Sequence, residues 1–435
     1  MFKSQFNTLV LNAKQILSDV GKMGFFHLLS ANFFIQIITF SSGLFVAWIL
    51  SPEQIGQIKV LQTYSGLAII IAGLGFNTST LKLCSEKRGS EETYYLFKKA
   101  IHYTVISTIV AYLIFSALAF MGLISADPII NKVLPLYFIA LFPLTLNYLQ
   151  ISYLQALKRI KELASIQTIT KLISLFLIIG LTYFFGFKGF IYSTIAGSTL
   201  TFIVMFRRTC IKQENRKKFN FKHAFRTHWF YAKFSFLANA LSNISLYLDI
   251  FLLNYFISDR TELGYYSFAI TLIIVLRLFT TTVQQITTPY FSERSNNKDE
   301  WKRVFKKYNR LLFLLSILIG IAAFISIKPA LHLMFSGKYD NSVIYFRYLI
   351  LAWFFRNMYA LRGVALLGLG KINLNFYASL IALPVNSGLM YYFITQYNTI
   401  GATYGSIAGA IFSYLIMYAM FQSVLNNNLS IKRKT

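Results

Sequence analysis

Apolar residues fill long uninterrupted stretches of the chain, among them 103–123, 172–187, 311–327 and 402–421, and polar residues collect between them. A helix rises about 1.5 Å per residue, so about 20 apolar residues cross a hydrocarbon core about 30 Å thick. Shorter runs reach that length through weakly polar flanks. The pattern predicts an all-α polytopic membrane protein with about twelve transmembrane helices. They fall near 24–50, 54–80, 97–123, 129–156, 161–185, 187–206, 229–257, 263–290, 303–327, 342–366, 371–396 and 399–424. Ahead of them, FNTLVLNAKQILSDVGK has the spacing of an amphipathic helix lying on the membrane surface, over about 5–21. No A-x-A-like site follows the first apolar run, so no cleaved leader is expected.

The runs repeat. Shifted by 207 residues, LLSANFFIQIITFSSGLFVAWILS, from Leu28, falls on SFLANALSNISLYLDIFLLNYFIS, from Ser235, without a gap. Ala31-Asn32 then matches Ala238-Asn239, and Gln36 matches Asn243. Near the end of each half, GFIYSTIAG (189–197) matches GATYGSIAG (401–409) at a shift of 212. Six crossings per half is an even number, so the halves share one orientation. This predicts two parallel six-helix repeats around a central cavity. The lobes span 1–206 and 229–435, joined by a basic linker at 207–228.

Composition agrees with the pattern. Of 435 residues, 56% are hydrophobic and only 13% charged, too few to coat a soluble protein of this size. The net charge of +27 suggests a nucleic-acid binder until its distribution is read. Thirty basic residues fall in the alternate segments that include 82–99, 207–226 and 294–310, against five in the other set: Lys132, Lys188, Arg260, Lys328 and Lys338. That asymmetry predicts cytoplasmic termini and contact with anionic lipid, with no nucleic-acid partner. Cys84 and Cys210 then face the cytoplasm as reduced thiols.

Candidate chemistry lies in the polar residues that interrupt the apolar helices. Asn32, Gln36, Thr39 and Ser42 share an arc of roughly 120° on the first crossing. Ser235, Asn239, Ser242, Asn243, Ser245 and Asp249 share one of roughly 160° on the seventh. Lys59, Gln62, Thr63, Gly66, Gly73 and Asn77 mark a face of the second crossing, and Arg277, Thr280, Thr281, Gln284 and Thr288 a face of the eighth. Polar groups cannot face lipid unsatisfied, so the stripes face protein or water. Buried cations are frequent: Lys59, Lys171, Arg277 and Arg356 lie within crossings, while Lys233, Arg347 and Arg362 are placed to snorkel. The one acid away from a helix end is Asp249. A cavity lined this way suits an anionic, hydroxyl-rich substrate. Arg277, Lys59, Lys171 and Arg356 would take its charge, and Asn32, Gln36, Asn239, Asn243 and Gln284 its hydroxyls. Asp249 has two readings: a structural ion-pair partner, or a group that titrates or binds H⁺ or Na⁺ during transport.

The run AWILSPEQIGQIKVLQTYSGLAIIIAGLGFNTSTLKL resembles the first-repeat signature of polysaccharide flippases, in which Leu-Ser/Thr-Pro-Glu ends one helix and Gly opens the next. LDIFLLNYFISDRTELGYYSFA resembles the second-repeat counterpart, with an Asp late in the seventh helix and then Glu-Leu-Gly-x-Tyr. The chain is similar over nearly its whole length to the Wzx-type branch of the multidrug/oligosaccharidyl-lipid/polysaccharide (MOP) exporters. That resemblance implies a flippase in the bacterial inner membrane. It would move undecaprenyl-diphosphate-linked oligosaccharides to the periplasmic leaflet for O-antigen or capsule assembly, beside a polysaccharide polymerase and chain-length proteins. Many relatives follow the seventh-helix Asp with a basic residue; here Ile250 follows.

Other classes fit less well. No Walker motif, HExxH, GxSxG or paired-carboxylate constellation is present, so neither direct ATP drive nor hydrolysis is expected, and no cofactor. An O-antigen polymerase would carry a large periplasmic loop, whereas the longest outer loop here, near 328–341, is short. A MATE-like exporter of cationic drugs would carry acids deep in the N-terminal lobe, and none lies there.

Overall fold

The computed structural model describes residues 25–86, 88–209, 224–257, 259–294 and 297–426. The surface helix expected over 5–21, most of the 207–228 linker and Cys210 lie outside them. The described residues form helices and short connections: α1 (Phe25–Ile49), α2 (Pro52–Gly73), α3 (Phe76–Ser85), α4 (Ser90–Phe120), α5 (Pro128–Tyr137), a 3-10 turn (Phe138–Ala140), α6 (Leu141–Ala156), α7 (Ile160–Thr209), α8 (Ala224–Phe256), α9 (Arg260–Glu293), α10 (Lys298–Phe335), α11 (Ser342–Gly368) and α12 (Ile372–Asn426). Among the described residues nine helices are long and apolar enough to cross a membrane, counting α5 to α6 as one, and Phe34–Ile49 is a shorter apolar helix.

Two of those helices turn back on themselves. In α7 the backbone breaks at Gly186 (φ 56, ψ −134), and in α12 at Asn398 (φ 54, ψ −141). Eight residues of helix span about 12 Å, yet a Cβ on Gly189 would strike the Leu181 carbonyl, and one on Gly401 the Phe393 carbonyl. The two chain segments therefore run alongside each other, and only glycine admits that approach. Gly186 and Asn398, Gly189 and Gly401, Leu181 and Phe393 are each 212 residues apart, so the sequence repeat is also a repeat of backbone geometry. Each break falls where the apolar pattern leaves a gap between crossings, and with α1 the crossings reach the expected twelve.

The second crossing differs from expectation. The apolar pattern runs unbroken over 54–80, but α2 ends at Gly73. Leu74 (φ 43) and Gly75 (φ 75) adopt left-handed backbone before α3 begins. The reason is tertiary: a Cβ on Gly75 would sit 2.9 Å from the Phe236 amide nitrogen and against the Ala232 carbonyl. Asn77 thus lies on α3, off the α2 face assigned to it.

The chain folds as two compact units. One holds Leu61–Ile244 and the described part of Met1–Ile49; the other holds Leu50–Val60 and Ser245–Thr435. In the first, Phe97 stacks on Tyr153 at 3.9 Å beside Phe76, Leu96 and Leu149. In the second, Phe291, Trp301, Phe305 and Phe421 form an aromatic core, and α11 packs against both α9 and α12. Burying one such ring contributes about 1.5–3 kcal/mol.

A cationic cluster around Asp249

The second unit gathers a set of charges inside its helices near where the first turns of α2 meet α9. Ser51 and Gln54 start α2 with a reciprocal capping box: Gln54 N donates to Ser51 Oγ (3.3 Å) and Ser51 N donates to Gln54 Oε1 (3.1 Å). Pro52 at the first helical position needs no partner for its nitrogen. On the other side Asp259 Oδ1 accepts from the Thr261 and Glu262 amides at 2.8 and 3.2 Å, capping α9. Such caps contribute about 1 kcal/mol each. The two helix starts cross through glycine. A Cβ on Gly56 would lie 2.7 Å from the Arg260 carbonyl oxygen and 2.9 Å from Gly264 N, and one on Gly264 would strike the Pro52 carbonyl. This contact fixes the neighbours one turn further in, Lys59 on α2 and Tyr266 on α9.

Tyr266 is fully buried, and its phenol donates to Asp249 Oδ2 at 2.7 Å. Asp249, on α8, accepts through Oδ1 from the Ile250 amide at 2.8 Å. The buried Ser406 of α12 lies beside the Tyr266 phenol oxygen. One carboxylate and one phenol thus link α8 and α9. The charges that act on this pair are cationic. Lys59 feels the attraction of Asp249 and the repulsion of Arg277, and Arg277 feels Arg356, Asp249 and Tyr266. Lys59, Arg277 and Arg356 are half-buried and make no hydrogen bond or ion pair among the described residues. Three cations therefore share one carboxylate that binds none of them directly. A cation in a membrane helix costs about 2.5–3.5 kcal/mol on the insertion scale, so the excess positive charge calls for an anion.

A family profile described as polysaccharide biosynthesis protein matches residues 45–344, well over half of the chain. The chain belongs to the polysaccharide biosynthesis protein family. No curated protein matches it. The fold of this family member is similar to that of the lipid II flippase MurJ in its inward closed conformation, with a TM-score of 0.74, 16% identity, and coverage of 92% of this chain and 89% of that one. It is similar to a multidrug resistance MATE family transporter of the MOP superfamily in its inward-facing conformation (TM-score 0.72, 13% identity, 91% of this chain, 96% of that). A MOP superfamily transporter from Pyrococcus furiosus has a TM-score of 0.61 at 14% identity, covering 92% of this chain and 94% of that one. The fold is that of the MOP exporters, a multi-pass membrane fold. Within the family match lie Lys59, Asp249, Tyr266 and Arg277; Arg356 and Ser406 come after it.

The remaining candidates of this family member lie elsewhere. Gln284, in the second unit, donates to the Ala360 carbonyl at 3.4 Å. Lys171, Gln36, Asn239 and Asn243 belong to the first unit. Lys171 is half-buried on α7, with no ion pair among the described residues. Asn239 donates to Ser235 Oγ at 3.2 Å and Asn243 to the Asn239 carbonyl at 2.9 Å, both within α8. Gln36 is exposed, and the side chain of Asn32 lies outside the described residues. Arg362 does not snorkel. It is 6% exposed, donates to the Met358 carbonyl at 2.7 Å and stacks on Tyr414 and Tyr418 at 4.8 and 5.4 Å. Sequence reasoning missed Tyr266 and Ser406, although Tyr266 closes the ELGYY run and a lone buried acid requires a donor.

Proposed function

We propose that the protein is a flippase carrying undecaprenyl-diphosphate-linked oligosaccharides from the cytoplasmic to the periplasmic leaflet of a bacterial inner membrane, for O-antigen, capsule or a related surface polysaccharide. The observation that carries this reading is the cluster of Lys59, Arg277 and Arg356 around a single carboxylate, none of them hydrogen-bonded among the described residues. A diphosphate supplies the missing negative charge, and the two guanidiniums offer bidentate donors to its oxygens. The polyprenyl tail stays in lipid while the charged head and sugars cross by alternating access. Lys171 adds a further cation, and Gln36, Asn239, Asn243 and Gln284 offer amides to sugar hydroxyls. Both termini are cytoplasmic in this reading, which the distribution of basic residues supports. Asp249 is the coupling site for H⁺ or Na⁺: its carboxylate can release the Tyr266 phenol and take up the ion as substrate charge leaves. A polymerase and chain-length proteins receive the product. Membership of the polysaccharide biosynthesis family supports the polymer side of this reading, and the MOP fold supports transport.

Replacing Arg277 and Arg356 by Ala in a strain that depends on this protein tests the proposal. The double variant should reach the membrane at normal levels and make no surface polysaccharide; Arg→Lys should restore it in part, because charge survives without the fork. Normal polymer from the double Ala variant refutes the assignment.

A further inference from the structure

A second site lies in the same unit and borders the first, for its Tyr345 packs edge-on against Tyr266 at 5.9 Å between ring centroids. A cavity of about 780 Å³ opens where α9 begins, α10 ends and α11 begins. Its charged lining is Lys328, Arg347, Glu262 and Asp340, with Tyr345 and Tyr348 between them. The cations hold free donors. Lys328 is exposed with no hydrogen bond or ion pair among the described residues. Arg347 lies over the Phe324 ring at 4.6 Å and commits only Nε, to the Phe324 carbonyl at 3.4 Å. The acids are half-used. Tyr345 donates to Glu262 Oε2, leaving Oε1; His332 Nδ1 is 3.1 Å from Asp340 Oδ2, while Asp340 Oδ1 is buried without a partner. An occupant that fits must therefore accept from Lys328 and Arg347 and donate to Glu262 and Asp340.

The surroundings narrow the class. The cavity sits at helix ends, where a bilayer's headgroups lie. Ile344 and Leu351 are two turns apart on α11, on one face with Tyr348, and are 47% and 50% exposed. Phe324 and Ile321 continue the apolar surface along α10, one turn and nearly two from Lys328. A hydrocarbon chain can lie along this surface with its head in the cavity. We propose that the cavity binds the headgroup of a zwitterionic phospholipid bearing a primary ammonium, of the phosphatidylethanolamine kind. Its phosphate rests on Lys328 and Arg347, and its ammonium on Glu262 and Asp340. A phosphatidylglycerol would leave both carboxylates facing an uncharged head, and a quaternary ammonium has no N–H to donate to either.

Thermal unfolding of the full-length protein in nonionic detergent, with dioleoyl phosphatidylethanolamine, phosphatidylglycerol or phosphatidylcholine added, tests this. Phosphatidylethanolamine should raise the midpoint at the lowest concentration, the others needing at least about tenfold more, the scale of one charge-assisted hydrogen bond. Lys328→Gln, at an exposed side chain, should leave the lipid-free midpoint unchanged and weaken the phosphatidylethanolamine response by about tenfold. Asp340→Asn should do the same; if it lowers the lipid-free midpoint, Lys328→Gln decides alone. Equal responses to the three lipids, or a wild-type response from Lys328→Gln, overturn the proposal.

Discussion

Tyr266→Phe removes one oxygen from a fully buried ring and leaves the packing between Gly264 and α11 intact. The lost phenol donates to Asp249 Oδ2 at 2.7 Å. A hydrogen bond to a charged acceptor contributes about 1.5–3 kcal/mol and one to a neutral acceptor about 0.5–1.5. Leaving Asp249 Oδ2 without its donor adds a cost of about 1–3 kcal/mol, because a buried acceptor without a partner keeps its desolvation penalty. Unfolding of the purified protein in detergent measures the sum. A cycle with Asp249→Ala isolates the Tyr266–Asp249 pair, because Asn would keep an oxygen for the phenol. A coupling energy of about 1.5 kcal/mol or more means that Tyr266 holds an ionised Asp249; about 0.5–1.5 means a neutral one. Additivity to within about 0.3–0.5 kcal/mol shows that the two groups do not interact and refutes the Tyr266–Asp249 link between α8 and α9.

Other perturbations report on the supporting structure. Gly264→Ala places a methyl against the Pro52 carbonyl, so α2 and α9 must separate; expect a loss of at least about 1–3 kcal/mol in the same unfolding assay and poor transport, with Gly56→Ala milder because its nearest atom is 2.7 Å away. Asp249→Asn should fold and abolish the dependence of flipping on a proton or sodium gradient in proteoliposomes; unchanged dependence makes the residue structural. Cys84, between its helix and α4, bonds the Thr93 carbonyl at 3.6 Å, and burial pushes its thiol up to about 12, only partly offset by Arg88. The reactive thiolate is therefore scarce near neutral pH, and maleimide at pH 8 should leave Cys84 unmodified in the folded protein and label it on denaturation. Rapid native labelling at pH 8 contradicts this.

Much of the fold was legible because membrane crossings are a one-dimensional signal. The gaps at 186 and 397–398 were visible as breaks between apolar runs, and the structure turns there at Gly186 and Asn398. The break at Leu74–Gly75 was not visible, since its cause is the α8 backbone, more than 150 residues on. Lys59, Asp249, Arg277 and Arg356 could each be singled out, because a charge in an apolar run is conspicuous by itself. Which of them share a site could not, for that depends on helix crossings fixed by Gly56 and Gly264. The roles of Tyr266 and Arg362 are not legible for related reasons: a tyrosine in a membrane helix looks like packing until an acid is opposite it, and an arginine near a helix end looks free until Tyr414 and Tyr418 enclose it.

The central claim is that Lys59, Arg277 and Arg356 neutralise a lipid-linked diphosphate. The most direct measurement is flipping of an undecaprenyl-diphosphate-linked oligosaccharide in proteoliposomes by the wild type and by the Arg277→Ala, Arg356→Ala double variant, at matched protein levels and matched unfolding midpoints. Two lost charge-assisted contacts of about 1.5–3 kcal/mol each predict a rate at least about a hundredfold lower, with the same variant indifferent to added inorganic diphosphate that competes with the wild type. Wild-type flipping by the double variant, or no competition by diphosphate in the wild type, contradicts the account.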